Sequence, residues 1–445
     1  MRVSVIGAGY VGIVTGVCLA EKGHSVVCVE VDAAKVERIR RGEPPIHEEG
    51  LPELLRRHTG TAFRATTSLS EAVGETEITL IAVGTPFDGR AIDLSYVTRA
   101  ATDVGHILAL KRERHTVVVK STVVPGTTDG PVRAALETAS GKQAGKDFGL
   151  GTNPEFLTEG TAVADFMHPD RIVIGGIDAR TLEALAGLYA GFDDVPVIRT
   201  NNSTAEMIKY ASNSLLATMI SFSNEIADLC SAIGGIDAKD VMAGVHESAY
   251  LNTGASKNGR ARAPIASFLE AGCGFGGSCL PKDVSALVAH GTNHGVDMRV
   301  LRSVLDVNRA RPDRVLEGIK QSVPSLRGKK VAVLGLAFKP DTDDVRESPA
   351  FPIIERLLAE GAIVTAFDPV AVAPARRALG DQPVRYAESL EGALADADVV
   401  VLVTRWRDFA AVPDLLRRLG RTPLVFDGRR MLDKNAIDHY EGIGL

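Results

Sequence analysis

The sequence predicts an α/β protein with two Rossmann-like, doubly wound parallel-sheet domains joined by a central long helix and its helical domain. Three observations carry this expectation. The chain opens on an apolar strand that runs into a glycine fingerprint, Val3-Ser4-Val5-Ile6-Gly7-Ala8-Gly9-Tyr10-Val11-Gly12. A second strand and turn of the same kind return at Lys330-Val331-Ala332-Val333-Leu334-Gly335. Between them, residues 203–233 keep one unbroken helical period.

Residues 2–6 read as a buried parallel strand, a helix runs on to Lys22, Gly23 stops it, and 25–30 is the next strand, ending at Glu30. A βαβ unit with GxGxxG at its first turn and an acid at the end of its second strand is the dinucleotide-binding pattern. Gly7, Gly9 and Gly12 admit a pyrophosphate to the helix N-terminus, and Glu30 can accept both ribose hydroxyls. A carboxylate there repels a 2′-phosphate, so NAD is expected rather than NADP. A merely structural tight turn is the competing reading, and the complete βαβ frame outweighs it. Further strands are expected at 78–83 and 116–120. They end at Gly84-Thr85-Pro86 and Ser121-Thr122, at the carboxyl side of the sheet, where such folds bind ligands.

Within 203–233, Ile208, Ala211, Leu215, Met219, Phe222, Ile226 and Leu229 recur at steps of three and four and form one apolar stripe. Gly234-Gly235 ends it. A helix this long is expected to be a spine between domains or part of a dimer interface. Residues 252–264 are polar, glycine-rich and basic, and read as a mobile loop. The second α/β half echoes the first: Leu358-Ala359-Glu360-Gly361 matches Leu19-Ala20-Glu21-Lys22-Gly23, and Asp368 ends a strand as Glu30 does. Its turn, Gly335-Leu336-Ala337-Phe338-Lys339-Pro340, lacks GxGxxG, so a different nucleotide is expected there.

Composition narrows the class. A chain of 445 residues implies two or three domains. With 45% apolar and 24% charged residues and 44 glycines, it reads as a soluble globular α/β protein with many short turns. A net charge of -6 argues against nucleic acid as the main partner, so an anionic ligand must be held by local Arg, Lys and backbone N–H groups. Five scattered cysteines, Cys18, Cys28, Cys230, Cys273 and Cys279, form neither a disulfide framework nor a zinc pair. No metal is expected, and a reducing cytoplasm fits. No apolar run reaches membrane-spanning length, so no membrane partner is expected.

The chemistry concentrates in Gly272-Cys273-Gly274-Phe275-Gly276-Gly277-Ser278-Cys279-Leu280-Pro281-Lys282-Asp283. A thiol placed beside a hydride-accepting cofactor can trap an aldehyde as a thiohemiacetal. A second hydride transfer then makes a thioester, which water releases as an acid. An arbitrary cysteine is more often a small buried residue. Here four glycines in the preceding eight positions let the backbone come close to a bulky ligand. In Asn153-Pro154-Glu155-Phe156-Leu157-Thr158-Glu159-Gly160, two carboxylates lie four apart. A solvated helical pair is the ordinary explanation, but Glu155 follows Asn-Pro at an expected strand end, which favours a site. Lys209 and Asn213, one turn apart on the long helix, are a solvated pair by default. Packed against the Cys279 loop, a partly desolvated Lys209 would hold an oxyanion. Lys339, Arg346 and Arg429-Arg430 fall on turns of the second half; surface charge is the default, yet a sugar-nucleotide diphosphate needs a few such groups.

These pieces together resemble the UDP-glucose/GDP-mannose dehydrogenase family, nearly end to end. They are GAGYVG (7–12), VGTP (83–86), STVVPGT (121–127), NPEFL (153–157), AEMIKYASN (205–213), GFGGSCLPKD (274–283), AFKPDTDDVRES (337–348) and FDGRR (426–430). The resemblance implies oxidation of a nucleotide sugar's primary alcohol to a carboxylate with two NAD⁺ in succession. It implies three parts: an NAD domain (1–200), a central helical dimerisation domain with the Cys loop (201–305) and a nucleotide-sugar domain (306–445), in a homodimer. It implies Cys279 as nucleophile, Lys209 at the oxyanion, Asn213 positioning the sugar, Asp283 and Thr122 holding water or moving protons, and Glu155 assisting thioester hydrolysis. NAD contacts are implied for Gly7, Gly9, Tyr10, Val11, Gly12, Glu30, Lys35, Thr85, Thr122, Glu159 and Arg346. Substrate contacts are implied for Glu155, Phe156, Leu157, Lys209, Asn213, Phe268, Gly274, Phe275, Gly276, Lys339 and Arg429. UDP-glucose is the expected substrate, with GDP-mannose and dTDP-glucose as alternatives and an NAD-sensing, non-enzymatic protein as a remote one. Ser278 stands where relatives acting on N-acetylated UDP-mannose carry His, and Arg260-Ala261-Arg262-Ala263-Pro264-Ile265 replaces the Arg-Ile-Gly usual in the UDP-glucose branch.

Overall fold

The structure, a computed structural model, describes residues 1–256 and 259–445. It divides into two compact units, Met1–Ser212 and Asn213–Leu445.

The first unit is an eight-stranded sheet of β1 (Arg2–Ile6), β2 (Ser25–Val29), β3 (Phe63–Thr66), β4 (Ile78–Ile81), β5 (Thr116–Val119), β6 (Gly149–Thr152), β7 (Ile172–Gly176) and β8 (Val197–Thr200). Their order is β3-β2-β1-β4-β5-β6-β7-β8. Neighbours run parallel except β6 and β7, which are antiparallel. The order reverses between β1 and β4, which opens a crevice at the strand ends there. Helices cover both faces, so the central strands are apolar throughout; all four residues of β4 and of β5 are buried. Both strands stop short of the expected 83 and 120. The amides of Lys120 and Ser121 both turn onto the Ile81 carbonyl, and the ladder cannot continue past it.

The helix Tyr10–Glu21 presses directly on the turn after β1. A Cβ on Gly12 would lie 1.8 Å from the Gly7 carbonyl oxygen, and Gly7 has φ +101°. Only glycine satisfies both positions.

The second unit begins within the long helix Asn202–Ile233, which carries residues of both units. Within 252–264, expected to be a mobile loop, β9 (Asn252–Ser256) pairs with β10 (Gly259–Arg262) as an antiparallel ribbon. Residues 257–258, and the side chains of 253–262 with Arg260 and Arg262, lie outside the described part. The second sheet contains β11 (Lys330–Leu334), β12 (Ile363–Phe367), β13 (Arg385–Tyr386), β14 (Val399–Leu402), β15 (Leu424–Asp427) and β16 (Tyr440–Gly442). It is wholly parallel, in the order β13-β12-β11-β14-β15-β16. Asp368 follows β12 as Glu30 follows β2. Its Oδ2 accepts the Leu336 and Ala337 amides at 2.7 and 3.0 Å, so the turn after β11 is closed by the protein's own carboxylate.

The apolar stripe of the long helix is only partly covered: Ile226 packs against the second unit's core, while three of its larger residues stand out. Leu215, Phe222 and Leu229 are 52, 51 and 56% exposed. The buried face carries polar residues at helical spacing, Glu206, Lys209, Asn213, Ser221 and Asn224, beside small apolar ones such as Ala217 and Ala227. Each of these polar groups has work that burial requires. In the first unit Glu206 accepts the Gly126 and Thr128 amides and the Thr128 hydroxyl, at 2.6 to 2.9 Å. Burial pushes its carboxyl up to about 7 against the pull of those donors. In the second unit Ser221 donates to the Val304 carbonyl at 2.9 Å, and Asn224 Oδ1 accepts the Gly272 amide at 2.7 Å. Among the described residues, no helix is long and apolar enough to cross a membrane.

Candidate active site

The expected site residues fall on both units. In the first, the cradle after β1 fits a dinucleotide. A Cβ on Gly9 would meet nothing within 4 Å, so the helix N-terminus is open on that side. Glu30 is buried at the end of β2, with Oε1 accepting the Asp32 amide at 3.1 Å and Oε2 3.8 Å from Lys35 Nζ. Lys35 thus attends the acid. The fingerprint's Tyr10 hydroxyl accepts the Gly160 amide at 2.8 Å, and Glu48 accepts the same amide at 2.7 Å. Together they fix the turn beside Glu159. Val11 packs into the core beneath. Thr85 donates from its hydroxyl to the Thr122 carbonyl at 2.8 Å, which ties the turns after β4 and β5 together.

The segment after β6 is a loop, so Glu155 and Glu159 are not a helical surface pair. Glu155 is 6% exposed and Lys209 4%. Lys209 Nζ lies 3.1 Å from Glu155 Oε1, and the Leu157 amide donates to Oε2 at 2.6 Å. Burial alone would raise the Glu155 carboxyl, but Lys209, the Leu157 amide and Lys120 together hold it below its usual range. Phe156 lies against this group, with Arg171 Cζ 4.0 Å and Lys209 Nζ 5.4 Å from its ring centre. Leu157 packs on the core.

In the second unit Cys279 is half-exposed; the other four cysteines are buried. Burial pushes the Cys18 and Cys28 thiols up to about 12 and raises Cys273 too. Cys279 caps the helix Leu280–Asn293, where peptide dipoles favour negative charge, and its Sγ is 3.6 Å from the Ser278 hydroxyl. One turn on, Asp283 is 1% exposed. Its Oδ2 accepts from Asn213 Nδ2 at 2.7 Å, and Lys282 Nζ reaches Oδ1 at 2.5 Å.

At three glycines of the Cys loop an added Cβ would meet the protein itself. A Cβ on Gly274 would meet Asn308 Oδ1 at 2.6 Å, one on Gly276 the Glu347 carbonyl at 2.1 Å, and one on Gly277 the Phe338 ring at 2.7 Å. Phe275, expected at the substrate, is buried with Ala217, Val284 and Val304. Its backbone is held at both ends by the Asn308 amide, at 2.8 and 3.0 Å. Arg311 donates to the Gly272 carbonyl at 3.1 Å and pairs with Asp228 at 2.5 Å. Asn224, Asn308 and Arg311 grip this loop. The spacing of Asn308 and Arg311 on one helix face was readable, but their targets were not.

The Arg429-Arg430 pair splits. Arg430 is buried and forked onto Asp237 at 2.8 Å, a packing role. Arg429 Nε donates to the Val403 carbonyl at 2.5 Å, and its Nη1 lies 3.4 Å from the Gly274 carbonyl. It lines a cavity of about 390 Å³ with Lys239, His246, Glu270 and Arg405. Lys239 and Arg405 were not singled out from sequence. Phe268 is half-buried at the end of the short helix Pro264–Phe268. Lys339 Nζ lies 5.9 Å from the Phe338 ring centre. Arg346 is mostly exposed, pairs with Asp344, and offers its carbonyl to the Gly277 amide at 2.9 Å.

Family models match along most of the chain. Residues 1–193 match the NAD binding domain of the UDP-glucose/GDP-mannose dehydrogenase family, 203–310 its central domain and 332–434 its UDP binding domain. The chain is 43% identical to the UDP-glucose 6-dehydrogenase AglM of Haloferax volcanii, over 100% of both proteins. It is 37% identical to a GDP-mannose 6-dehydrogenase of Pseudomonas savastanoi, over 97% of this chain and 95% of the relative. A UDP-glucose dehydrogenase structure from Pyrobaculum islandicum superposes with TM-score 0.89 at 39% identity, covering 99% of this chain and 97% of the other. A dinucleotide cradle that closes on Glu30, a second parallel sheet and these end-to-end matches lead to one conclusion: the chain belongs to the UDP-glucose/GDP-mannose dehydrogenase family and is an NAD-dependent oxidoreductase of nucleotide sugars.

Proposed function

We propose that the protein oxidises UDP-glucose to UDP-glucuronate, with Cys279 as a covalent nucleophile. The carrying observation is the half-exposed Cys279 at the head of a helix, on a loop fixed by its own protein, while every other cysteine is buried. UDP-glucose is favoured because relatives of that name reach 43% identity, against 37% for GDP-mannose relatives.

Bound NAD⁺ supplies the hydride acceptor, twice per substrate. In this reading the sugar's primary alcohol loses a hydride and its hydroxyl proton to give an aldehyde. Cys279 sulfur adds to the carbonyl carbon, and the resulting thiohemiacetal loses a second hydride to become a thioester. Water then attacks, the carbon–sulfur bond breaks, and the thiol is restored. Alcohol, water and two NAD⁺ yield carboxylate, two NADH and three protons. Lys209 stabilises charge on the substrate oxygen, and Asn213 orients the sugar. Asp283 and Thr122 serve water and protons, and Glu155 takes a proton from the attacking water. Arg429 and Lys339 receive the sugar nucleotide, with the cavity at Arg429 suited by its cations to a diphosphate. A reducing, cytoplasmic setting and the three-part division at 200 and 305 belong to the same proposal.

Side-by-side assays with UDP-glucose, GDP-mannose and dTDP-glucose test the substrate, and preference for GDP-mannose overturns it. Glu155→Gln should let a covalent adduct on Cys279 accumulate after a burst of NADH, because general-base help is worth about 10²–10⁴-fold. Intact-mass measurement finds the adduct; its absence, with no burst, removes Glu155 from that role.

The exposed stripe fits a homodimer. Leu215, Phe222 and Leu229 recur every seven residues, the spacing of a seam between paired helices. Phe222→Glu should shift the protein from dimer to monomer in sedimentation. A dimer that persists in that variant places the interface elsewhere.

A further inference from the structure

The group around Glu155 contains a second buried ammonium that no motif pointed to. Lys120 follows the apolar β5 and is 2% exposed. Its Nζ donates to Asn153 Oδ1 at 2.9 Å and reaches the Asn153 carbonyl at 3.4 Å. The Tyr189 hydroxyl donates to the same Oδ1 at 2.5 Å, and Asn153 Nδ2 donates to the Val173 carbonyl at 2.8 Å. Asn153 is thus held by three different parts of the first unit. Glu155 lies two residues further along the same segment.

A neutral donor would satisfy Asn153 as well. Keeping a full charge in so dry a place is unfavourable unless an opposite charge answers it. The carboxylate whose charge acts on Lys120 is Glu155, and Glu155 already pairs with Lys209. Two ammonium groups thus bear on the Asn153–Glu155 segment, Lys209 on Glu155 and Lys120 on Asn153. One carboxylate needs only one partner for its own stability, so the second is a surplus. The surplus matters once Lys209 turns its charge to a substrate oxygen, because Glu155 would then be buried with little to keep it ionised.

We propose that Lys120 is a positioning residue of the reaction, which holds the Asn153–Glu155 segment and keeps Glu155 ionised while Lys209 is engaged by substrate. The inference rests on reading Glu155 as the hydrolytic base. Among the described residues, the charged or titratable groups that act on Lys120, Glu155 or the Asn153 between them are Lys209 on the long helix, Tyr189 after the helix Ala179–Leu188, and each other. Burial raises the Tyr189 hydroxyl and keeps it neutral. Burial lowers the Lys120 amine, Glu155 opposes the shift and Lys209 adds to it, for a net fall to about 8.

The test is the pH dependence of turnover in the full chain, with NAD and the fastest of the three sugar nucleotides. Lys120→Gln keeps a donor for Asn153 and removes the charge. Its acid limb should move up by about one pH unit or more. Lys120→Met should show the same shift, whereas Lys120→Arg should leave the limb in place. In a Glu155→Gln background, Lys120→Gln should slow thioester hydrolysis no further. An unmoved limb in Lys120→Gln and Lys120→Met, with lowered thermal stability alone, overturns the proposal. If Glu155→Gln by itself retains the acid limb and accumulates no adduct, the reading of Glu155 fails instead, and the two failures are told apart.

Discussion

Cys279→Ala should form no acid and no thioester, with the fold intact. Loss of the attacking side chain in covalent catalysis costs up to on the order of 10⁶ in turnover. The thiol is only half-buried, so removal of one sulfur should change stability by less than about 1 kcal/mol. NADH formation followed by absorbance, with product analysis by chromatography, reads the outcome. Cys279→Ser is informative in another way. An alkoxide leaves less readily than a thiolate, so a serine ester should persist after slow oxidation. Cys273, buried against the Gly428 carbonyl at 3.5 Å, should be replaceable without loss of chemistry. Acid production at the parent rate by Cys279→Ala would end the covalent mechanism.

Lys209→Ala should be costly twice. Removal of one partner from a buried ion pair leaves the other charge uncompensated, typically at about 3–5 kcal/mol. Glu155 at 6% exposure is such a partner; the Leu157 amide and Lys120 still act on it, so the cost should lie toward the low end of that range. The sign with pH follows from its lowered carboxyl. A depressed carboxylate contributes stability above the ordinary carboxylate range and loses it as pH falls through the folded-state value. The deficit of Lys209→Ala should therefore be largest at neutral pH and shrink on acidification, as Glu155 takes up a proton. Denaturant unfolding at several pH values measures this. Turnover should fall separately, by roughly 10²–10³-fold, the usual effect of losing one donor to a developing oxyanion. Affinity for the sugar nucleotide should change far less. A variant that lost affinity but kept its turnover number would show that Lys209 binds ground and transition states alike. Equal instability at all pH values would show that its pairing with Glu155 contributes little.

The sequence by itself determined what is local. A strand needs apolar residues in a short run, and a phosphate turn needs glycine where a Cβ would strike the Gly7 carbonyl. Both conditions are met within a dozen residues, so β1, the fingerprint, Glu30 and the second α/β half were all legible. The cysteine loop was legible too, because Cys279, Lys282 and Asp283 stand together in the chain. Only the tertiary structure decided which face of a helix is buried. The period of residues 203–233 has two faces, and hydrophobicity points to the one with Leu215, Phe222 and Leu229. Yet the buried face also holds Glu206, Lys209, Asn213 and Asn224, and each meets a partner from a distant segment: Gly126 and Thr128, Glu155, Asp283 and Gly272. Burial of a polar group is favourable only when its partner is in place. Lys120 stayed hidden for the same reason, since a lysine after an apolar strand reads as its exposed end until Asn153 and Glu155 are brought to it. That Asn308, Phe338 and Glu347 crowd the Cβ side of Gly274, Gly277 and Gly276 was likewise invisible along the chain. Spacing along the chain fixes periods and turns. Which side of a period meets which distant charge is a property of the folded chain, since desolvation and pairing are settled together only at contact.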